Sequence, residues 1–382
     1  MNIQNPAEMP MSASAWLPPQ LAIIVPTFNE RDNIELLYDN LAIALKNVPF
    51  EFIVVDDNSP DGTAAAVKEL SRRYHNVRCI HRIGRRGLSS ACIEGISASS
   101  APFFAIIDAD HQHDEKVLPQ MLAKAMAGDD IVVGTRYAGN GSVGEGLSSA
   151  REKGSRIATR LSSLLTGTQL SDPMSGYFLM RREVFEEVAG TLSNDGFKIL
   201  LDIIVSATRY RETSGEVLSI GEVPYQFRPR HAGESKMSPL IVVQFLGLLL
   251  SKFSGGILPT SFLLFAMVGC SGVLVHLATL ATTHELLKWD FTLAQLTATI
   301  VSMTTNFVLN NELTYSDKKL KGGRFWWGLV TFYAVCSFGT IANVSVATWI
   351  YSVSPELYLA GIAGALMSVV FNYSVTRIFT WR

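Results

Sequence analysis

The residues best suited to chemistry in this 382-residue chain form a short acidic turn, Asp108-Ala109-Asp110, which follows an apolar run. Two carboxylates on one tight turn can hold a hard divalent cation, and Gln112 supplies a further oxygen donor. A cation held in this way bridges the oxygens of a diphosphate and acts as a Lewis acid when a nucleoside diphosphate leaves. The turn therefore predicts a site for Mg²⁺ or Mn²⁺ together with a nucleotide.

Two other polar motifs follow apolar runs in the same manner, at residues 26–30 and 56–63. Short apolar runs alternate with helix-like patterns, which predicts an α/β fold with a mainly parallel sheet and helices on both faces. Ligands of such sheets bind at the carboxyl ends of the strands, where all of these motifs fall. The strand-like segments are 21–25, 52–55, 103–107 and 131–133, and the helix-like stretches are about 32–46, 63–74, 88–98 and 115–127.

Charge and cysteine content exclude several classes of protein. The net charge of −2 and the pI of about 6.4 argue against nucleic-acid binding. The charges are unevenly distributed, since residues 254–382 contain only 7 Lys or Arg and 5 Asp or Glu. None of the 4 cysteines forms a CxxC pair, so no zinc site or disulfide scaffold is predicted. These features predict a soluble head joined to a membrane-embedded tail.

Four stretches without charged side chains follow one another in the tail: 253–284, 291–311, 325–355 and 357–376. Each has the roughly 20 residues that a membrane-spanning helix needs. The basic residues 318, 319, 321 and 324 follow the second stretch, whereas only Lys288 lies between the first and second. The positive-inside rule therefore places the head and both ends of the tail on the cytoplasmic side. The first 20 residues lack a signal-peptide pattern and are expected to be a disordered lead-in.

The tail also contains an internal repeat. Asn306 to Tyr315 aligns with Asn372 to Trp381 at an offset of 66 residues, and each copy ends in an aromatic residue. The repeat predicts two helix pairs in parallel orientation. We expect the two asparagines to form interhelical hydrogen bonds, with contact to a lipid head group as the alternative.

Two amphipathic stretches, 150–165 and 237–253, are too short to span a bilayer and suit the head-group layer instead. The alternative is that both are ordinary core helices of the head. Two histidines flank Gln112, and we expect His111 and His113 to be solvated loop or substrate-contact residues, with metal contact as the alternative.

Seven segments in the right order carry a family resemblance. Together they resemble the family 2 glycosyltransferases, which have the GT-A fold, and within them the dolichol-phosphate mannose synthase type. The tail resembles the GtrA-like family. The resemblance predicts a GT-A domain over 21–236, an interfacial helix over 237–253 and a four-helix transmembrane domain over 254–382. The segments are VPTFNE (25–30), VVDDNSPDGT (54–63), DADHQH (108–113), GTRY (134–137), DPMSGYFLMRR (172–182), GFKILLD (196–202) and GESKMS (233–238).

The resemblance implies transfer of a sugar from a nucleotide sugar to a polyprenyl phosphate, and it assigns residues to roles. The implied catalytic residues are Asp110, Arg136 and Arg151. The implied metal ligands are Asp108, Asp110 and Gln112. The implied nucleotide-sugar contacts are Pro26, Thr27, Glu30, Asp57, Asn58, Asp108, Arg230 and Lys236, and the implied lipid-phosphate contacts are Arg136, Arg151, Ser155 and Lys198.

The chemistry of the acceptor predicts the mechanism. A polyprenyl phosphate already carries an anionic oxygen, so it needs no general base, and we expect a single in-line displacement with inversion. GDP-mannose is the favoured donor, with UDP-glucose or another UDP-sugar as the alternative. A lipid-linked sugar transporter or assembly scaffold with a non-catalytic head is the alternative from a different class. A homo-oligomer formed through the tail is left open.

Overall fold

The structure is a computed structural model that describes residues 18–136, 170–173, 175–192, 199–228, 259–315, 318–354 and 357–381. The described residues fall into two compact units, a head that ends at residue 228 and a tail that begins at Pro259. Most of the predicted lead-in and both predicted interfacial helices lie outside the described residues.

A seven-stranded sheet organises the head, with the strand order β3-β2-β1-β4-β6-β5-β7. Strand β6 runs antiparallel to β4 and β5, whereas all other neighbouring pairs are parallel. The central strands are continuous runs of Ile, Val and Phe, as strands covered on both faces require. The strands are β1 (Leu21–Thr27), β2 (Phe50–Asp56), β3 (Val77–His81), β4 (Phe103–Ile106), β5 (Ile131–Thr135), β6 (Phe178–Arg181) and β7 (Ile220–Pro224).

Helices cover both faces of this sheet and build two separate cores. Helices α1, α2 and α4 contribute to one core, and α3, α5 and α6 contribute to the other. Gly95 lets α3 approach β1 closely, because a Cβ atom at this position would overlap with the side chain of Ile24. The helices are α1 (Ile34–Ala44), α2 (Thr63–Arg73), α3 (Leu88–Ser97), α4 (Leu118–Met126), α5 (Arg182–Val188) and α6 (Ile199–Ser214).

The predicted α/β class with a mainly parallel sheet is confirmed, and each predicted strand and helix of the head is found within a few residues. The strand-like segments predicted from the sequence did not include β3, β6 or β7. Strand β3 is a half-exposed edge strand of sequence VRCIH and so lacks an apolar run. Strand β6 is only 4 residues long and lies within a segment that carried the family resemblance.

The described residues of the tail form four long helices, one for each predicted charge-free stretch. Helix α7 pairs with α8, and α9 pairs with α10. Two helices of the described residues, Ser261–Leu286 and Gly323–Ile350, are long and apolar enough to cross a membrane, so the count of four spans stays a prediction. The helices are α7 (Thr260–Leu280), α8 (Phe291–Leu309), α9 (Gly323–Val353) and α10 (Leu357–Phe379), and π-helical turns extend α7 and α8.

The sequence repeat of the tail is also a repeat of packing. Asn306 of α8 lies against Gly272 of α7, and Asn372 of α10 lies against Gly339 of α9, so that neither glycine has room for a Cβ atom. The Oδ1 atom of each asparagine is buried and has no hydrogen-bond partner in the described structure. For these two oxygens the predicted interhelical hydrogen bond is therefore wrong, and close packing against a glycine takes its place.

The aromatic ends of the two repeat copies meet in the core of the tail. The rings of Tyr315 and Trp381 are stacked, with centroids 4.2 Å apart and planes inclined by 13°. Trp381 is fully buried, also stacks on Phe307, and donates its indole N–H to Asn311 Oδ1 over 3.0 Å. The two helix pairs are therefore joined through equivalent positions of the repeat.

Candidate active site

Three loops meet at the carboxyl edge of the sheet, after β1, β2 and β4, as the sequence predicts for the ligand-binding edge. Each contains one residue in the left-handed backbone region: Asn29 with φ 59°, Asn58 with φ 57° and His111 with φ 62°. Such conformations are uncommon for residues other than glycine and cluster at functional sites. The backbone itself therefore marks this edge as the candidate site.

The loop after β1 is fastened to the loop after β2. Thr27 donates its hydroxyl to Asp56 Oδ1 at 3.2 Å, and the backbone N–H of Glu30 donates to Thr63 Oγ1 at 3.1 Å. The carboxylate of Glu30 is buried and accepts a hydrogen bond from the amide of Asn33 at 2.8 Å. Pro26 lies within β1 itself. The predicted residues of this loop are thus brought beside those of the next loop, and Glu30 holds the local turn.

Asp57 is held on both of its carboxylate oxygens. The guanidinium of Arg82 donates to Oδ1 at 2.8 Å, and the backbone N–H of Gly87 donates to Oδ2 at 2.8 Å. Burial raises the pKa of Asp57, while the hydrogen bond from Gly87 and the charge of Arg82 oppose that rise. Asp57 is therefore oriented by two donors before any ligand arrives.

Arg82 itself is almost fully buried, with 1% of its side chain exposed. Besides Asp57, it binds the carbonyl oxygen of Gly87 at 3.0 Å and the hydroxyl of Ser90 at 2.6 Å, and its Nε lies 3.4 Å from Glu94 Oε1. The segment from Arg82 to Ser90 is thereby folded back onto the end of β2.

The rim of this part of the site is basic and aromatic. The guanidinium of Arg86 lies over the ring of Phe28, 4.3 Å from its centroid, a cation–π arrangement. Asn58 Oδ1 contacts His81 Nε2 at 2.9 Å. The charge of Arg86 also lowers the pKa of Asp57, so Arg86 faces the same part of the site.

The loop after β4 carries the predicted metal ligands on one turn. Asp110 is buried and accepts the backbone N–H of Gln112 on Oδ1 at 3.1 Å. The side chain of Asp108 is 43% exposed, and Gly176 lies directly behind its carboxylate, where a Cβ atom would be 3.2 Å from Oδ2. Gln112 donates its amide N–H to the carbonyl oxygen of Arg228 at 3.3 Å. The turn thus brings together two carboxylates and an amide.

The two histidines of this turn are buried, so the solvated-loop part of their prediction is wrong, while substrate contact stays a prediction. His111 is 7% exposed, and its Nε2 contacts the carbonyl oxygen of Asn33 at 3.1 Å. His113 is 5% exposed and is stacked on Tyr177, with ring centroids 5.0 Å apart. Burial lowers the pKa of His113 to about 4, so its ring is neutral at pH 7.

Arg136, at the end of β5, belongs to the same cluster as the acidic turn. It forms a bidentate pair with Asp172, with Nε 2.8 Å from Oδ2 and Nη2 3.2 Å from Oδ1. Its guanidinium also lies 5.2 Å from the ring centroid of Phe227. The charges of Arg136 and Asp110 both act on His113, which places the basic and the acidic groups around one centre.

A second arginine ties the acidic turn to the end of the described head. Arg228 forms ion pairs with Asp114 and with Glu115, the latter at 2.9 Å. Its backbone N–H donates to the carbonyl oxygen of Gln112 at 3.0 Å. The segment after β7 therefore braces the loop that carries Asp108 and Asp110.

Five of the predicted site residues have no described position. They are Arg151, Ser155, Lys198, Arg230 and Lys236, which lie outside the described residues.

Conversely, sequence reasoning missed three residues that organise the described site, namely Arg82, His113 as a buried group, and Asp172. Arg82 follows β3 directly, and β3 pairs with β2 so that its last residue lies opposite Asp56. A correct prediction of β3 and its register would therefore have placed Arg82 beside the acidic end of β2.

Comparisons with known proteins agree with this architecture. Residues 22–189 match the family model described as "Glycosyl transferase family 2", and residues 264–381 match "GtrA/DPMS, transmembrane domain". The dolichol-phosphate mannosyltransferase of Pyrococcus furiosus is 32% identical over 374 residues, which cover 95% of this chain and 99% of that protein. The enzyme of the same name from Saccharomyces cerevisiae is 32% identical over 231 residues, 59% of this chain and 84% of that protein.

Among solved structures, glucosyl-3-phosphoglycerate synthase from Mycobacterium tuberculosis, in complex with Mn²⁺, UDP and glucosyl-3-phosphoglycerate, aligns with a TM-score of 0.46 at 18% identity. The alignment covers 61% of this chain and 80% of that one.

Proposed function

This chain belongs to the family 2 glycosyltransferases that carry a GtrA/DPMS transmembrane domain, and from that premise we propose that it transfers mannose from GDP-mannose to a polyprenyl phosphate. It is a glycosyltransferase and a membrane protein. The product we propose is a β-linked mannosyl lipid phosphate, formed in one step with inversion of the anomeric carbon. The names of relatives that match along nearly the whole chain support the choice of sugar and acceptor.

The observation that carries the proposal is the joining of an acidic turn and a fixed arginine in one cluster. Asp108 and Asp110 lie at the end of β4, and Arg136 is held beside them by Asp172. The proposed reaction needs positive charge on both sides, because a lipid phosphate and a nucleoside diphosphate, both negatively charged, must approach the same anomeric carbon.

The acidic turn fits a hard divalent cation. Its two carboxylates and the amide oxygen of Gln112 are the oxygen donors that Mg²⁺ and Mn²⁺ prefer. When bound by Asp108, Asp110 and Gln112, the cation would neutralise the negative charge of the departing nucleoside diphosphate.

The loops after β1 and β2 are the proposed nucleotide contacts, through Pro26, Thr27, Glu30, Asp57 and Asn58. Asp57 is already oriented by Arg82 and Gly87, so a donor group of the base can meet a fixed acceptor. Arg230 and Lys236 are the proposed basic contacts to the diphosphate, and Asp108 contributes to the same nucleotide-sugar site.

The lipid phosphate is the proposed nucleophile. We assign its binding to Arg136, Arg151, Ser155 and Lys198, with Arg136 and Arg151 also catalytic. The planar fork of arginine suits a phosphate, and positioning its oxygen behind the anomeric carbon supplies much of the rate. The new C–O bond forms as the bond to the diphosphate breaks, and the diphosphate keeps the electron pair. No proton transfer is needed, in agreement with the neutral, buried state of His113.

The GtrA/DPMS domain is proposed to hold the head at the cytoplasmic face, with both ends of the chain on that side and the stretches 150–165 and 237–253 in the head-group layer. The basic residues after α8, of which Lys319 pairs with Glu312 in the structure, support this orientation.

A donor and acceptor panel tests the proposal. Full-length protein in detergent is given GDP-mannose, UDP-glucose or UDP-galactose with a polyprenyl phosphate and Mg²⁺, Mn²⁺ or EDTA. We expect a glycolipid only from GDP-mannose and only with metal, and NMR of the product should show the β-anomer. If only a UDP-sugar gave a product, GDP-mannose would be the wrong donor. An α-linked product would contradict inversion. Failure of every donor would favour a transporter or scaffold.

A further inference from the structure

We propose that His113 is a positioning residue, which holds the carboxylate of Asp108 in the orientation that a divalent cation needs and does not bind the cation itself. The inference rests on the proposed function, because it concerns the proposed metal-binding turn. It assigns a role to a buried side chain that the transfer reaction leaves without one.

The first support is that His113 contacts both the backbone and the side chain of Asp108. The backbone N–H of Asp108 donates to Nδ1 of the ring at 3.3 Å. The other ring nitrogen, Nε2, lies 3.9 Å from Asp108 Oδ2. The ring is therefore bonded to the amide of Asp108 and lies beside its carboxylate, beyond hydrogen-bond distance, where its bulk limits the torsion angles open to that side chain.

The hydrogen bond from Asp108 also fixes the tautomer. Since Nδ1 accepts a proton, the neutral ring carries its own hydrogen on Nε2, the nitrogen that faces the carboxylate. A ring that accepts a hydrogen bond on Nδ1 carries no proton there and is therefore not an imidazolium, so it adds no positive charge that would repel a cation.

The second support is that the ring cannot turn away. Tyr177 stacks beneath it with an interplanar angle of 13°, and the rings of Tyr225 and Phe227 meet it edge-on. The hydroxyl of Tyr177 donates to the carbonyl oxygen of Asp114 at 2.9 Å, so the ring beneath His113 is bound to the same loop. The aromatic cage is therefore attached to the loop that continues from the acidic turn.

The carboxylate of Asp108 is confined on another side as well. Gly176 lies against it so closely that a Cβ atom would stand 3.2 Å from Oδ2. Its side chain is nevertheless 43% exposed, so the carboxylate is restrained by His113 and Gly176 and open toward solvent. Loss of such an outer contact to a metal-binding carboxylate typically lowers the metal affinity by about 10–100-fold.

Direct ligation by His113 is the competing interpretation, and the geometry opposes it. Nδ1 is engaged by the backbone of Asp108, and Nε2 carries the proton, so neither nitrogen offers a lone pair toward solvent.

The test measures Mn²⁺ binding to the full-length protein in detergent, by the EPR signal of free Mn²⁺, with Mn²⁺ alone and with added GDP or UDP. We expect His113→Phe, which keeps a ring but loses both nitrogens, to weaken binding by about 10–100-fold. His113→Asn keeps an acceptor for the Asp108 N–H and should lose less. His111→Asn is the matched control, since His111 is equally buried on the same turn but contacts Asn33, and we expect a change of about twofold or less.

The outcomes separate this inference from the proposed function. Wild-type protein that fails to bind Mn²⁺ under every condition would overturn the metal site and the inference with it. Binding by wild type that is unchanged in His113→Phe and His113→Asn would overturn only the positioning role. Nitrogen modulation in the pulsed EPR spectrum of bound Mn²⁺, lost in His113→Phe and retained in His111→Asn, would identify His113 as a ligand and also overturn it.

Discussion

The site carboxylates of the head and the repeated asparagines of the tail differ in how their side-chain oxygens are paired. In the head, both oxygens of Asp57 accept hydrogen bonds, and Asp172 binds Arg136 with both of its oxygens. In the tail, the repeated asparagines Asn306 and Asn372 each bury an oxygen that has no hydrogen-bond partner in the described structure. Each arrangement is found twice, at two carboxylates of the head and at two equivalent asparagines of the tail.

The difference shows what each region must specify. A site that joins charged substrates needs charged side chains in fixed orientations, and hydrogen bonds from backbone and side-chain donors provide them. Helices in lipid have no hydrophobic force to drive their association, and they rely on close contact at small residues. In the tail, the repeated asparagine accordingly contributes to close packing, since its side chain fills the space beside a glycine of the neighbouring helix.

The largest effect should come from removing a charge of the head site. Asp110→Asn preserves size and burial but removes one of the proposed carboxylate ligands. We expect kcat to fall by at least about 10⁴-fold, which is about 5 kcal/mol in the barrier. Asp129→Asn is the control, because Asp129 precedes β5 at the opposite edge of the sheet and should keep nearly full activity. Full turnover by Asp110→Asn would remove the acidic turn from the site.

The second-largest effect should come from breaking a buried ion pair of the head. Arg82→Met leaves Asp57 buried without its guanidinium, and we expect a loss of about 3–5 kcal/mol in unfolding free energy. Denaturant unfolding of the detergent-solubilised protein measures it. The control is Arg85→Met, since Arg85 is exposed and pairs with Glu94 at 3.0 Å, and it should cost less than about 1 kcal/mol. Equal losses in the two variants would mean that burial does not decide the strength of these pairs.

An intermediate effect is expected where the tail has no room. Gly272→Ala should destabilise the tail by about 1–3 kcal/mol, because the new Cβ atom overlaps with Asn306. Gly339→Ala should do the same at the second copy of the repeat. Gly269→Ala on the same helix is the control, since nothing lies within 4 Å of the added atom. Thermal unfolding in detergent would report the difference, and equal melting temperatures for all three variants would contradict the packing role.

The smallest effect should come from the asparagines themselves. Asn306→Ala removes a buried oxygen that has no hydrogen-bond partner in the described structure and leaves a small space beside Gly272, so we expect a loss of only about 1 kcal/mol. Combined with Gly272→Ala, it should restore most of the stability lost in the glycine variant. A large loss from Asn306→Ala alone would show that its oxygen makes a bond in the membrane, as a contact to a lipid head group would require.

Local patterns in the sequence were sufficient for the parts of the fold that local forces determine. The apolar runs before Pro26, Asp56 and Asp108 became buried parallel strands, and their polar ends met at one edge. The charge-free stretches became the four tail helices. In these cases a few neighbouring residues contain both the signal and its cause.

The contacts that sequence reasoning missed join residues far apart in the chain. Asp172 meets Arg136 and Arg228 meets Asp114 only because the strands between them are paired. In the sequence, His113 has the features of a loop residue. In the fold it is covered by Tyr177, which precedes β6, and by Tyr225, which follows β7. The unpartnered oxygens of Asn306 and Asn372 depend on which helix lies opposite, which the repeat alone did not specify.

The stack of Tyr315 on Trp381 has a consequence for the stability of the tail. Each ring terminates one copy of the repeat, and each covers the other, so a helix pair on its own would leave its terminal ring uncovered. The two pairs are therefore expected to depend on one another, and cleavage between them followed by loss of one pair should destabilise the other.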